Sequence, residues 1–426
     1  MNTRPSRRDF FNTLAAGGVS IATARLLHAS KVDHASDRLL DEIERRACRY
    51  FYDMADPNTG LVRDRASAAE PYAPSAASIA ATGFGLSALA IGADRQYLDP
   101  SLAQARTRTT LKFLCDHAEQ DHGFFYHFMD SDTGKRIWRC EASSVDTAWL
   151  LCGVLHSSAA WDDPDIKKYA AELLDRADWQ WMLNGNSLTL SHGWLPEDGF
   201  LQYRWDAYSE VLAMYLLAVA SDKHPIPASC WNAFSRPLRE YQGLFFIDAG
   251  APLFVHQYSH AFFDFRDLHD KYADYFRNSV RATQAHRLFC LSYAHDFPWY
   301  GPDMWGVTAS DSRSGYRAWC SPSSPPDGTL VPCAAGGSFA FLPQLCGAVL
   351  QNMLDGWNDK VWTKYGFVDA FHPKDQWFSR YVLGIDQGIM LLMVENARTG
   401  SVWNAVMSTP VAQRAMDLVG LRRAAV

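Results

Sequence analysis

An all-α fold is predicted: an (α/α)6 toroid of six helical hairpins, an inner ring of helices inside an outer one, with short β-hairpin decorations. Three observations predict it. Segments apolar on every face recur, as in "SIAATGFGLSALAIG" from Ser78, "SSVDTAWLLCGVL" from Ser143 and "YSEVLAMYLLAVA" from Tyr208. These starts lie 65 residues apart in both intervals (143 − 78 and 208 − 143). Between them run one-sided, charged segments such as "LLDEIERRACRYFYDMA" and "DPDIKKYAAELLDRADWQWML". An all-apolar helix is buried on all sides and a one-sided helix faces solvent, so their alternation describes an inner layer wrapped by an outer one. Looser repeats follow, "YSHAFFDF" at Tyr258, "GSFAFLPQLCGAVL" at Gly337 and "GIDQGIMLLMVENARTG" at Gly384, which complete six.

Ahead of the first repeat, "SRRDFFNTLAAGGVSIATARLLHAS" places Arg7 and Arg8 before Phe10 and Phe11, then a short Ala- and Gly-rich apolar run. This is the pattern of a twin-arginine export signal, too short for a membrane span. Residues 1–29 are therefore expected to be removed after passage through the twin-arginine machinery. Residues 30–426 then form a single domain, soluble and exported to the periplasm or beyond. The segment "HGFFYHFMDSDTGKRIWR" reads as two aromatic strands about an Asp-Ser-Asp-Thr-Gly turn. A calcium-loop reading of Asp130 and Asp132 fails for want of an acidic twelfth ligand. Residues 299–329, rich in Gly, Ser, Asp and Trp, read as a binding loop.

Composition narrows the function. The chain carries a net charge of −7, and residues 1–29, with four Arg and one Asp, hold +3 of it, leaving −10 on the remainder. An acidic body lacks the basic stripe that nucleic acid requires. Fifteen Trp among 13% aromatic residues suit sugar rings, although a large helical core uses such rings too. The nine Cys fall mostly inside apolar runs with no metal-finger spacing, and read as buried small hydrophobes. His256 and His260, spaced i, i+4, have no third ligand beside them and read as ordinary hydrogen-bonding histidines; no metal and no organic cofactor is expected.

Parallel inner helices bring their N-terminal ends to one face. The residues heading them are Glu141 and Asp146, then Asp206, Tyr208 and Glu210, then His256, His260 and Asp264, and finally Asp386 with Gln387. Several carboxylates beside Trp138, Trp205 and Trp305 describe a sugar-cleaving cleft, in which one carboxylic acid protonates the leaving oxygen and one carboxylate activates water or attacks carbon. Each carboxylate also has a structural reading as a helix cap, Asp146 and Asp386 above all.

The segments "GLVRDR", "SIAATGFGLSALAIG", "HGFFYHFMDSDTGKR", "EASSVDTAWLL", "RWDAYSE", "PLFVHQYSHAFFDFR", "YGPDMWGVTASD" and "GIDQGIMLLMVENARTG" resemble, in this order, the bacterial glucoamylase-like domain family. The likeness runs from about Leu39 to Met416. It implies the (α/α)6 toroid and, from periplasmic endo-β-1,2-glucanases of the family, inverting cleavage of linear β-1,2-glucan. By the same resemblance Glu210 is the general acid, Asp386 the general base, and Glu141 the nucleophile of retaining transglycosylase cousins. The resemblance also makes Asp146 a substrate-binding carboxylate, and Tyr208, Trp138, His260 and Trp305, with Asp206 and Asp303, are expected beside it as further sugar contacts. An inverting pair needs roughly 6.5–9.5 Å between carboxyls and a retaining pair roughly 5–5.5 Å. Cys140 stands where a small polar residue is expected before Glu141. A non-catalytic glycan-binding protein and a polysaccharide lyase are the rival readings.

Overall fold

The computed structural model describes residues 34–69, 75–185 and 188–423. The twin-arginine segment lies outside them. By its packing the chain divides into Met1–Leu39 and Leu40–Val426. In the first unit, only the opening of helix α1 (His34–Met54) is described. The second is mostly helical and is an (α/α)6 toroid: α2 (Ile79–Asp94), α3 (Pro100–Asp116), α4 (Ser144–Ala160), α5 (Pro164–Arg176), α6 (Trp179–Met182), α7 (Leu212–Val219), α8 (Tyr258–Phe262), α9 (Tyr275–Ser292), α10 (Pro332–Gly336), α11 (Pro343–Val361), α12 (Gly384–Arg398), α13 (Ser401–Met407) and α14 (Pro410–Val419).

The inner ring is α2, α4, α7, α8, α10 and α12. Every residue of α7, α8 and α10 is buried, as is α2 from Ile79 to Gly92. α2 packs on α4 and α12, α4 on α7, α7 on α8, and α12 on both α8 and α10. By contrast α5, in the outer layer, buries only Ile166, Ala170 and Leu173, the stripe its sequence spacing predicts. Glycines permit the tightest inner contact. A Cβ on Gly153 would lie 2.0 Å from the Gly83 carbonyl oxygen, and one on Gly83 would lie 2.3 Å from that of Trp149. The two backbones touch where any side chain would wedge them apart.

The first, second and sixth inner helices begin within a residue of where the sequence places them. Ser78 and Ser143 cap α2 and α4, accepting hydrogen bonds from Ala81 and Asp146 N–H groups. The third starts at Leu212, so Tyr208–Glu210 form the turn before it. The fifth is a correction: "GSFAFLPQLCGAVL" mostly builds outer helix α11, and the inner element is the preceding α10. The fourth is five residues long, behind a 3-10 turn at Leu253–His256.

Short strands stitch the helix mouths together. Arg65–Ser67 pairs with Tyr381–Leu383, Ala76–Ser78 with Phe128–Asp130, and Ala142–Ser143 with Gly193–Leu195. The carbonyls of Asp64, His127 and His192 accept the first N–H groups of α12, α2 and α4, at 2.8, 3.2 and 3.1 Å. Those bonds satisfy donors that a helix leaves orphaned, and they set three polar side chains at the mouth. The predicted turn at Asp130–Gly134 is present, its Asp130 Oδ1 accepting from the Thr133 N–H and hydroxyl. Across it Met129 bridges Arg136 antiparallel, as the expected hairpin requires, while the preceding Phe124–Phe125 pairs backward with Gln120–Asp121. Seven cysteines are buried, and all nine are unpaired thiols. Among the described residues no helix is long and apolar enough to cross a membrane.

Candidate active site

Glu210 ends the turn that feeds α7. Its backbone carbonyl is held by the Ser259 hydroxyl of α8 at 2.9 Å, and its Oε2 accepts the indole N–H of Trp149 from α4 at 3.3 Å. Burial, reinforced by the negative charge of Asp146, pushes its carboxyl up to about 8. One weak donor and a like charge favour the protonated form, so Glu210 is equipped as a proton donor near neutral pH.

Glu141 and Asp146 are set differently. Between them stands His127, whose Nδ1 lies 3.1 Å from Glu141 Oε1 and whose Nε2 lies 3.6 Å from Asp146 Oδ1. Backbone pairing fixes this clamp, since the His127 N–H donates to the Glu141 carbonyl at 3.0 Å. Burial alone would hold the imidazole neutral, but the charges of Asp146 and Glu141 raise it to about 9. Glu141 moves the other way: burial pushes its carboxyl up, and the hydrogen bond and charge of His127 bring it below its ordinary value. Glu141 lies flat over Gly193, where a Cβ would sit 2.7 Å from its Cγ. Asp146 Oδ2 accepts from the Ser143 hydroxyl at 2.5 Å. Among the described residues His127, Glu141 and Asp146 alone bring three potential metal ligands within 4.8 Å of one another. The two carboxylates face opposite nitrogens of one ring, which is how an imidazolium bridges two anions.

Asp386, in the first turn of α12, is buried, and burial raises its carboxyl above the ordinary range. Beside it lies Asp369, whose Oδ2 accepts the Asp311 backbone N–H at 2.8 Å. Arg65 pairs with Asp64 at 2.8 Å and approaches Asp311 at 3.8 Å. Tyr258 and Tyr316 are both within electrostatic reach of Glu210 and of Asp386. Tyr316 sits on the hairpin of Ala309–Ser310 with Arg317–Ala318, within the segment read as a binding loop, and is 69% exposed.

The remaining expected residues divide. Trp138 stands 70% exposed beside the Phe128 ring at 5.2 Å, with a left-handed φ of +57°. Asp206 is exposed next to Trp205, which stacks on His192 at 3.8 Å and donates to the Ser144 hydroxyl. Asp303 is exposed, its carbonyl bonded to Asn352 of outer helix α11. Tyr208, His260 and Trp305 are corrections, because their side chains are sealed in the core with no face for a sugar. The Tyr208 hydroxyl pairs with His256 Nδ1 at 3.2 Å, and His260 Nε2 with the Ser279 hydroxyl of α9 at 3.0 Å. Burial lowers His256 to about 4 and His260 to about 3, so both are neutral. Asp264 is taken up by Arg266 at 2.8 Å. The sequence reading passed over His127, Asp369 and Asp311, whose only local signal is a polar residue inside an aromatic or loop segment.

The family model described as "Putative glucoamylase" matches residues 202–410. An exo β-1,2-glucooligosaccharide sophorohydrolase (non-reducing end) of Parabacteroides distasonis is 26% identical over 93% of this chain, which spans 60% of that protein's length. The endo-β-1,2-glucanase of Chitinophaga pinensis, solved with sophorotriose and glucose, superposes with a TM-score of 0.86 at 28% identity, over 91% of this chain and 98% of that one. A Bacteroides caccae protein carrying the same description as the family model is 30% identical, with a TM-score of 0.86 over 91% of this chain and all of that one. The chain belongs to the glucoamylase-like family.

Proposed function

We propose that this protein is a glycoside hydrolase that cleaves within β-1,2-glucan chains with inversion, Glu210 acting as general acid and Asp386 as general base. The observation that carries the reading is that two inner helices packed on α8 are headed by carboxyls, the half-buried Glu210 before α7, holding the Trp149 indole N–H at 3.3 Å, and the buried Asp386 in the first turn of α12. Glu210 is protonated at neutral pH and can give its proton to the departing glycosidic oxygen as the bond to the anomeric carbon breaks. Asp386 takes a proton from the attacking water, directly or through a sugar hydroxyl. Asp146 stays beside the acid, where its charge keeps Glu210 protonated. Trp138, Asp206 and Tyr316 offer exposed surfaces for flanking rings, and Asp303 is a more remote contact. The linkage comes from the related β-1,2-glucanases and sophorohydrolase, and the acidic body suits a neutral glycan. Export by the twin-arginine route to the periplasm is part of the proposal.

Glu141 keeps a second reading open. His127 favours its ionised form, as a nucleophile requires, and a retaining transglycosylase would use it with Glu210. The deciding experiment is reducing-end release from linear β-1,2-glucan beside β-1,3- and β-1,4-glucans, with the anomer of the first product read by NMR. Short products with the α-anomer appearing first support inversion, and the β-anomer supports the Glu141 route. Binding without release of reducing ends returns the protein to a glycan-binding role.

A further inference from the structure

Trp138 and Arg139 are consecutive residues in the left-handed region, at φ +57° and +54°. Neither is a glycine, and for a bulky aromatic that backbone is strained and persists only where its surroundings over-determine it. Here they do. Just before the turn, Met129 bridges Arg136 and the Ile137 N–H donates to the Phe128 carbonyl at 3.2 Å. Just after it, the Cys140 N–H returns to the Ile137 carbonyl at 3.2 Å. The Cys140 thiol accepts from the Phe128 N–H at 3.3 Å and donates to the Phe128 carbonyl at 3.2 Å. Arg136 closes the turn from within, its Nε donating to the Cys140 carbonyl at 2.5 Å.

A side chain from another hairpin holds both ends. Glu197 lies in the loop joining Gly193–Leu195 to Gly199–Phe200. Its two oxygens accept from the two terminal nitrogens of Arg136, at 2.8 and 3.0 Å, and Oε1 lies 3.8 Å from Arg139 Nε. Exposed ion pairs commonly contribute little, but a bidentate arginine fork fixes direction as well as distance. The Arg136 side chain is 11% exposed and lies over the Tyr126 ring at 5.0 Å, so the fork is anchored at its root.

The clasp presents the end of an aromatic row that leads out from the carboxylates of the mouth. His127 meets Glu141 at 3.1 Å, the Phe128 ring stacks on His127 at 4.0 Å with 15° between planes, and the Trp138 ring stands 5.2 Å from Phe128. An exposed indole held in one place offers a sugar ring its face without the entropic cost of ordering it on binding.

We infer that Glu197 is a positioning residue: it clasps Arg136 and Arg139, holds the strained Trp138 turn in place, and so fixes the indole as a sugar platform that favours long glucan chains over short ones. The inference rests on the reading of the mouth as a glucan-cleaving cleft. Glu197 acts through Trp138 and takes no part in bond cleavage.

The test is a double-mutant cycle read in KM. Glu197→Gln keeps the shape of the side chain and removes its charge and one of its two acceptors. On linear β-1,2-glucan it is expected to raise KM about threefold with kcat retained, and to leave KM for the shortest cleavable oligosaccharide unchanged. In a Trp138→Ala background the same substitution is expected to change nothing, because the ring it positions is gone. An equal rise in both backgrounds, no rise in the wild-type one, or an equal rise on the shortest oligosaccharide overturns the inference. A second measurement needs no substrate. In protein labelled with 5-fluorotryptophan, the fluorine resonance missing from Trp138→Phe belongs to Trp138. That line is expected to be single and sharp in wild type and to broaden or split in Glu197→Gln; an unchanged line in the variant overturns the inference. Failure of wild type to release reducing ends from β-1,2-glucan would instead refute the proposed function, and the fluorine line would still decide whether Glu197 holds the turn.

Discussion

Removing the proton of Glu210 is the sharpest perturbation available. An ordinary glutamic acid at 4.5 is about 0.3% protonated at pH 7, whereas one at about 8 is about 90% protonated. The site thus raises the population of working acid by roughly 300-fold, through burial first and the charge of Asp146 second. Two results follow on a natural glucan. Wild-type kcat/KM should fall as pH rises through about 8, because the acid form is present below the raised pKa and lost above it. Glu210→Gln should lose on the order of 100- to 10,000-fold in kcat and lose that basic limb. The control is an aryl β-1,2-gluco-oligosaccharide, whose phenolate leaves without a proton; on it the variant should keep far more of the wild-type rate. Asp146→Asn should move the basic limb to lower pH, since it deletes a charge that opposes ionisation. The assignment fails if Glu210→Gln stays within a few-fold of wild type on β-1,2-glucan, or if its loss is the same on both substrates.

Asp386→Asn and Glu141→Gln separate the two stereochemical routes: under inversion the first should cost on the order of 100-fold or more and the second distinctly less, and the reverse order in steady-state rates would favour retention. Gly153→Ala must push α2 and α4 apart, because its Cβ would start 2.0 Å from the Gly83 carbonyl oxygen. The expected cost is about 1–3 kcal/mol, read as a lower urea midpoint, and an unchanged midpoint would refute the backbone contact. Trp138→Ala should raise KM for long glucan by about 3- to 10-fold with kcat nearly unchanged, a stacking contribution of about 1 kcal/mol, and equal loss on the shortest cleavable oligosaccharide would place the indole at the reacting centre instead.

What the sequence disclosed followed from how local the signal was. Ser78 and Ser143 mark helix starts because a cap and an all-apolar run lie side by side in the chain, and the same adjacency placed Glu210, Asp386, Glu141 and Asp146 near helix heads, while their chemical roles came from the family resemblance and are part of the proposal. The fourth and fifth inner helices were not, since five residues hold too little of a 3.6-residue period to fix a boundary, and the small residues of Pro332–Gly336 carry no hydrophobic stripe. Burial is a tertiary property, and there the reading of polar aromatics failed. Tyr208 and His260 look like site residues in the chain, yet each spends its polar end inside the core, Tyr208 on His256 and Asn278 and His260 on Ser279. His127 and Asp369 failed in the opposite sense. Both come from connecting segments, and only strand pairing and the loop behind Phe367 bring them to the mouth.

The same helix-mouth geometry serves carboxyls of opposite character, and the dipole cannot be what separates them. Asp386 lies in the first turn of α12, where the dipole favours a carboxylate, yet its carboxyl is raised. Glu210 lies just before α7 and is raised as well. Glu141, on the strand leading to α4, is lowered. What differs is the neighbour across the gap. Glu141 faces an imidazolium, Glu210 faces an indole N–H and an aspartate, and Asp386 faces a thiol and another acid. The division into acid and anion is therefore written in the neighbours, which come from α4 for Glu210 and from connecting segments for Glu141, so one toroid can carry different chemistry by exchanging a few residues around its mouth. Both proposed stereochemical routes use Glu210 as the acid. Whether Glu141 or Asp386 completes the pair turns on residues, His127 and Asp369, that no helix of the ring supplies.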